Sequence, residues 1–148
     1  MNEIGCREIV FGSAGYDLAC ELRQEMLRVP LGMNLYDEDL SAEAGQRHFG
    51  LFDGGELVAC VIAVHVSREE VKLRQMAVSA ARQGEGLGRQ ILCEVERRMV
   101  EKGYAKASLH ARVSALGFYE KVGYAVVSEE FMEIGIPHRK MEKRLNRE

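Results

Sequence analysis

Residues 57–64, Leu-Val-Ala-Cys-Val-Ile-Ala-Val, are apolar at every position and follow the turn-forming triplet Asp53-Gly54-Gly55. A strand with one face in water alternates apolar and polar side chains, so an unbroken run of this kind reads as a strand covered on both faces. His65 ends the run, which is far too short to cross a bilayer. The chain must therefore build a sheet and supply helices to cover it. The triplet makes residues 47–52 and 56–66 the two arms of a hairpin, and the segment 71–78 extends the hairpin to a meander.

Periodicity supplies the helices. Ser13 is placed to cap a first helix whose apolar stripe is Leu18, Leu22, Met26 and Val29, with Pro30 and Gly32 ending it. Residues 34–45, which carry Asp37, Glu38 and Asp39, have room for one short second helix. Leu87, Ile91, Leu92, Val95 and Met99 mark the clearest helix, closed by Gly103. A strand at 105–110 follows, and a crossover through this helix makes it a parallel neighbour of 71–78. A last helix at 114–122 stops at Gly123, and strands at 124–131 and 139–145 flank Gly135-Ile136-Pro137. With an opening strand at 8–11, the expectation is one mixed α/β (α+β) domain over 1–148, about six to seven strands with about four helices.

At 148 residues one core is the natural outcome. Twenty Lys and Arg against 23 Asp and Glu leave a formal charge of −3, which gives no footprint for nucleic acid or an anionic membrane. Cys6, Cys20, Cys60 and Cys93 lack paired metal or redox spacing and read as reduced core thiols. No basic-then-apolar leader opens the chain, so the expected compartment is the reducing cytoplasm. His48, His65 and His110 show neither helical i, i+4 spacing nor an acidic neighbour and read as structural, so no metal is expected.

The first chemical feature is the turn Arg82-Gln83-Gly84-Glu85-Gly86-Leu87-Gly88, which joins a strand to a helix. Glycines let the backbone approach a ligand, and the unpaired N–H groups of the first helical turn attract phosphate oxygens. No Gly-Lys-Ser/Thr follows, so it is not a P-loop, and a tight strand-to-helix turn with no ligand is an equal alternative. The second feature is Phe118-Tyr119-Glu120-Lys121-Val122-Gly123-Tyr124 at the end of the last helix.

Together these motifs resemble the GNAT superfamily of N-acetyltransferases. Gln83, Gly86 and Gly88 match its Gln/Arg-x-x-Gly-x-Gly/Ala pyrophosphate motif, and residues 118–124 match its Tyr-Glu-Lys-x-Gly segment. Gly135-Ile136-Pro137-His138 is similar to a bacterial subgroup with that hairpin before its final strand. The position where many members carry Asn is Arg112 here, and its side chain is a candidate contact to coenzyme A.

The resemblance implies a mostly antiparallel sheet with a splayed parallel pair at the cofactor. It implies direct transfer of acetyl from acetyl-CoA, the cosubstrate, to a small-molecule or peptide amine, in a monomer or homodimer. The backbone of Met76, Ala77 and Val78 would hold the pantetheine arm, with the Val78 N–H on the thioester carbonyl. The N–H groups of Gln83, Gly84, Glu85, Gly86, Leu87, Gly88 and Arg89 would hold the pyrophosphate. Tyr119 would protonate the leaving thiolate, against the alternative that it is a core aromatic. Glu133 and His138 are candidates for the base, or plain polar groups of the hairpin. The alternative function is a domain that binds acetyl-CoA as a signal and catalyses nothing.

Overall fold

The computed structural model describes residues 4–145. Residues 1–3, on which the expectation of no leader partly rests, and 146–148 lie outside the described residues. Among the described residues eight strands, β1 (Ile4–Ile9), β2 (Arg47–Asp53), β3 (Glu56–His65), β4 (Glu70–Val78), β5 (Lys106–Arg112), β6 (Ala125–Val126), β7 (Phe131–Glu133) and β8 (Ile136–Arg144), combine with three α-helices. The helices are α1 (Ala14–Arg23), α2 (Leu87–Glu101) and α3 (Leu116–Lys121).

The chain divides into two compact units. The first runs through Val64 and includes Gln75–Val95; the second holds His65–Arg74 and the chain from Glu96 onward.

In the first unit β1, β2 and β3 pair in sequence, antiparallel, and β4 is next in the order. The residues of β3 from Leu57 to Ala63 are all buried, as their continuous apolar run requires. Ile9, Tyr16, Leu22, Leu35, Phe52, Leu57 and Cys60 form one apolar cluster. Ser13 caps α1 as expected, its hydroxyl accepting from the Tyr16 N–H at 3.3 Å. The expected stripe of α1 holds only in part: Leu22 is buried and Met26 packs against this cluster. Tyr16, Ala19, Cys20, Leu22 and Arg23 are buried, whereas Leu18 and Val29 are exposed. After Arg23 the helix widens into a π-type turn, Gln24–Arg28, and then tightens into the 3₁₀ turn Val29–Leu31 before Gly32 at φ 69°. A 3.6-residue stripe cannot be continued through such a change of pitch.

The expected second helix at 34–45 is two 3₁₀ turns, Leu35–Asp37 and Ser41–Gly45. Asn34 and Asp39 account for the difference. Their side chains accept from the N–H groups of Tyr36 and Ser41, both at 3.0 Å, and so compete with helical hydrogen bonding.

In the second unit the order is β4, β5, β8, β6, with β7 also paired to β8. Strands β4 and β5 are parallel from the Glu70–Lys106 pair to Leu73–Leu109, as the crossover predicts, and β5 and β8 are antiparallel. The expected strand at 124–131 splits into β6 and β7. Ser128 makes the break, because its hydroxyl, rather than a backbone carbonyl, accepts the Lys140 N–H at 2.8 Å. Val71, Leu73, Met99, Ala107, Leu109, Ala111 and Met141 are buried. Alternation along β5 thus sends Ala107, Leu109 and Ala111 inward and puts Lys106, Ser108, His110 and Arg112 together on the other face.

The cysteine expectation holds for two of four. Cys20 and Cys60 are buried, but Cys6 is partly exposed and Cys93 is exposed. No described helix is long and apolar enough to cross a membrane.

Candidate active site

Met76, Ala77, Val78 and residues 83–89 belong to the first unit, whereas Arg112, Tyr119, Glu133 and His138 belong to the second. In the first, β4 ends at Val78 and the chain turns over Ala80–Arg82 into α2. The Gln83 side chain closes this turn, donating from Nε2 to the Val78 carbonyl at 2.9 Å. Its part in the motif is thus structural as well as a backbone one. Arg82 is fully engaged by carboxylates: Nε contacts both Glu85 oxygens at 3.0 Å and Nη1 lies 3.0 Å from Asp53 Oδ2. That pairing draws the Glu85 carboxylate to Arg82 and offsets part of its charge, the same guanidinium being shared with Asp53 and, at 3.6 Å, Glu56.

Gly84 and Gly86 adopt φ of 84° and 78°, and nothing lies within 4 Å of where a Cβ would stand on either. The first internal hydrogen bond of α2 runs from Gln90 N–H to the Gly86 carbonyl at 3.0 Å. Leu87, Gly88 and Arg89 therefore occupy the first helical turn, where N–H groups have no intrahelical acceptor. This open turn of positive dipole, with Arg89 exposed beside it, fits a pyrophosphate.

Just upstream, Gln75 has φ 56° within β4, an uncommon conformation for a residue with a side chain. Its Oε1 accepts from Arg23 Nε at 3.3 Å and Arg28 Nη2 at 3.5 Å. The backbone leading into Met76–Val78 is thus tied to two buried arginines of the first unit.

In the second unit Tyr119 stands on α3 between two aromatic neighbours, with ring centroids 5.0 Å from Phe118 and 6.0 Å from Tyr124. Among the described residues no group hydrogen-bonds its hydroxyl. Burial pushes the Tyr119 phenol up to about 12, and the Arg112 guanidinium works in the opposite direction. Arg112, the position that departs from the resembled pattern, is therefore electrostatically coupled to the tyrosine.

Glu133 and His138 meet a third residue that sequence reasoning set aside. Glu133 Oε1 lies 2.8 Å from His110 Nδ1, and Glu133 Oε2 lies 3.8 Å from His138 Nε2. The reading of His110 as a histidine without acidic company is thus corrected. Residues 110 and 133 are brought together only by the β5–β8 and β7–β8 registers, which no local spacing reveals. Burial disfavours charge on Glu133, but the hydrogen bond from His110 and the fields of His110, His138 and Lys72 outweigh it and hold the carboxyl below the usual range. The other two histidines are engaged elsewhere: His48 Nε2 with the Glu43 carbonyl at 2.8 Å, His65 Nδ1 with the Tyr104 hydroxyl at 2.7 Å. Of the acidic run, Glu38 is paired with buried Arg28 at 2.6 Å and Asp39 caps the Ser41 turn.

The Acetyltransferase (GNAT) domain family model matches residues 23–145. YyaT, an uncharacterized protein of Bacillus subtilis, is 42% identical over 76 residues, 51% of this chain and 51% of YyaT. The chain spans about half the length of the curated relatives it matches. A crystal structure from Lactobacillus plantarum is similar over 98% of this chain and 100% of its own, with a TM-score of 0.88 and 22% identity. A GNAT family acetyltransferase from Elizabethkingia anophelis with acetyl-CoA bound is similar over 96% and 98%, with a TM-score of 0.69 and 20% identity. The match over residues 23–145 exceeds half of the sequence, and the chain belongs to the GNAT acetyltransferase family.

Proposed function

We propose that the chain is a single acetyl-CoA-dependent N-acetyltransferase domain over residues 1–148, of the subgroup with a Gly-Ile-Pro-His hairpin, working in the cytoplasm as a monomer or homodimer. Its acceptor is a small-molecule or peptide amine. The N–H groups of residues 83–89 hold the pyrophosphate, and Met76, Ala77 and Val78 hold the pantetheine arm. The Val78 N–H faces the thioester oxygen, where negative charge grows during attack. Arg112 tunes Tyr119, and the polar cluster around Glu133, with His138 as its buried member, serves the amine's deprotonation.

Transfer is direct. The amine nitrogen bonds to the thioester carbon, the C–S bond breaks, and the thiolate takes the Tyr119 proton. The tyrosine regains a proton from the nitrogen as the amide forms. The observation that carries this reading over the non-catalytic one is the Tyr119 hydroxyl, which lacks a hydrogen-bonding partner among the described residues. A ring kept for packing alone would need no hydroxyl, and the Tyr119 side chain is only partly buried, which leaves its hydroxyl for a ligand.

Calorimetry with acetyl-CoA, coenzyme A and ATP, then thiol release over a panel of small primary amines, polyamines and peptide N-termini, tests it. Acetyl-CoA binding with thiol release is expected. Absence of acetyl-CoA binding defeats the proposal, and binding without release on any amine favours the signal-binding alternative.

A further inference from the structure

We infer that His110 is the catalytic base that takes the proton from the acceptor ammonium, with Glu133 as the carboxylate that orients it. The inference deepens the acetyltransferase reading and rests on it.

Four histidines are present, and their surroundings separate them. His48 is buried and bonded to a backbone carbonyl, and His65 is bonded to Tyr104. His138 has a side chain only 4% exposed, with Nδ1 2.8 Å from the Ile136 carbonyl and Nε2 turned to Glu133. His110 is 28% exposed and has one ring nitrogen engaged. No described residue hydrogen-bonds its Nε2.

The state of that nitrogen follows from its partner. Glu133 is held ionised at neutral pH and so can only accept a hydrogen bond. The proton of a neutral His110 must then sit on Nδ1, 2.8 Å from Glu133 Oε1, which leaves the Nε2 lone pair free to accept one. The Phe131 ring meets the His110 ring edge to face at 5.0 Å and stacks on His138 at 6.1 Å, which fixes the plane of the base.

Position along β5 links this pair to the proposed acid. His110 and Arg112 share a strand face, one pleat or roughly 7 Å apart. Arg112 is the residue whose charge acts on Tyr119, and it stands opposite His138 in the β5–β8 register. A proton acceptor and a proton donor thus flank one arginine.

The charged groups around His110 include Glu133 on β7, His138 and Lys140 on β8, Lys72 on β4 and Arg112 on β5, with Lys140 itself paired to Glu70 on β4 and Glu142 on β8. Lys140 stands opposite His110 in the register, and Lys72 acts on Glu133. In the step, the ammonium N–H breaks, its proton moves to His110 Nε2 and then to water, and the nitrogen keeps the lone pair that attacks the thioester.

The test is thiol release from acetyl-CoA with the amine panel, over pH, for wild type, His110→Ala, His110→Gln and Glu133→Gln. His110→Ala and His110→Gln are expected to lose about 10²-fold or more in kcat with acetyl-CoA affinity unchanged. Added imidazole is expected to restore turnover to His110→Ala, and Glu133→Gln to lower kcat while KM for the amine is unchanged. A structural role would give neither. Full turnover by either His110 variant at every pH, or loss that imidazole does not restore while acetyl-CoA still binds, overturns the inference and leaves the acetyltransferase reading standing. Wild type that binds no acetyl-CoA, or releases no thiol, overturns both.

Discussion

Arg23 lays both guanidinium nitrogens on the Glu43 carboxylate, Nη1 at 2.8 Å from Oε1 and Nη2 at 2.7 Å from Oε2, with side chains 1% and 4% exposed. The Tyr16 hydroxyl donates to the same carboxylate at 2.7 Å, and the third arginine nitrogen reaches Gln75. Removing one partner strands a charge away from water, at a cost of about 3–5 kcal/mol. Arg23→Ala and Glu43→Ala are each expected to lower the urea midpoint by that equivalent. The double change Arg23→Met with Glu43→Leu removes both charges and is expected to cost far less than the sum. Additive losses in the double variant would contradict the picture of a buried ion pair.

Tyr119→Phe keeps the ring contacts with Phe118 and Tyr124 and removes only the hydroxyl. Under the proposed mechanism it lowers kcat by about 10²- to 10⁴-fold while acetyl-CoA affinity measured by calorimetry stays the same. Full turnover at saturating acetyl-CoA with an accepted amine would remove Tyr119 from the chemistry.

What the chain's sequence discloses and what it hides follow from the range of each interaction. The buried stripe of α2, Leu87, Ile91, Leu92, Val95 and Met99, is legible because one regular helix keeps one phase. The stripe of α1 is legible only at Leu22 and Met26: Leu18 faces outward while Ala19 and Cys20 face the core, and the π-type turn after Arg23 changes the pitch before Val29. The split between β6 and β7 turns on one hydroxyl of Ser128, whose neighbours look strand-like. The glycine turn and the Tyr119 segment are local motifs and can be read directly. Arg23–Glu43 and His110–Glu133 are separated by 20 and 23 residues. Both pairs are built by packing and strand register, so only a three-dimensional arrangement reveals them.

Tyr119 also makes a prediction in alkali. Its folded pKa, about 12, is above the phenol's unfolded value of about 10, so the folded state holds the proton more tightly. This contribution to stability is complete below the unfolded pKa and is lost as pH rises through the folded one, between about 10 and 12. Tyr16 and Tyr36 are raised as well, so the difference in 295 nm absorbance between wild type and Tyr119→Phe isolates the group. Arg112→Gln removes the opposing field and is expected to delay the transition further. An unchanged transition would show that Arg112 does not act on the phenol.

Two glycines separate backbone demand from available space. Gly86 stands at φ 78° with open space where a Cβ would go, so Gly86→Ala costs about 1–2 kcal/mol through conformation alone. If the turn holds a pyrophosphate, the new methyl also obstructs the phosphate's approach to the N–H groups, and acetyl-CoA binding weakens by more than the stability loss requires. Gly117 lies inside α3, at no positive φ and with nothing within 4 Å of its Cβ position. There alanine relieves the flexibility of the unfolded chain, and Gly117→Ala is expected to stabilise by about 0.5–1 kcal/mol. Thermal unfolding of both variants, with and without acetyl-CoA, reads the two effects. If Gly86→Ala unfolds earlier but retains the full ligand-induced rise in Tm, the turn serves the fold and not the cofactor.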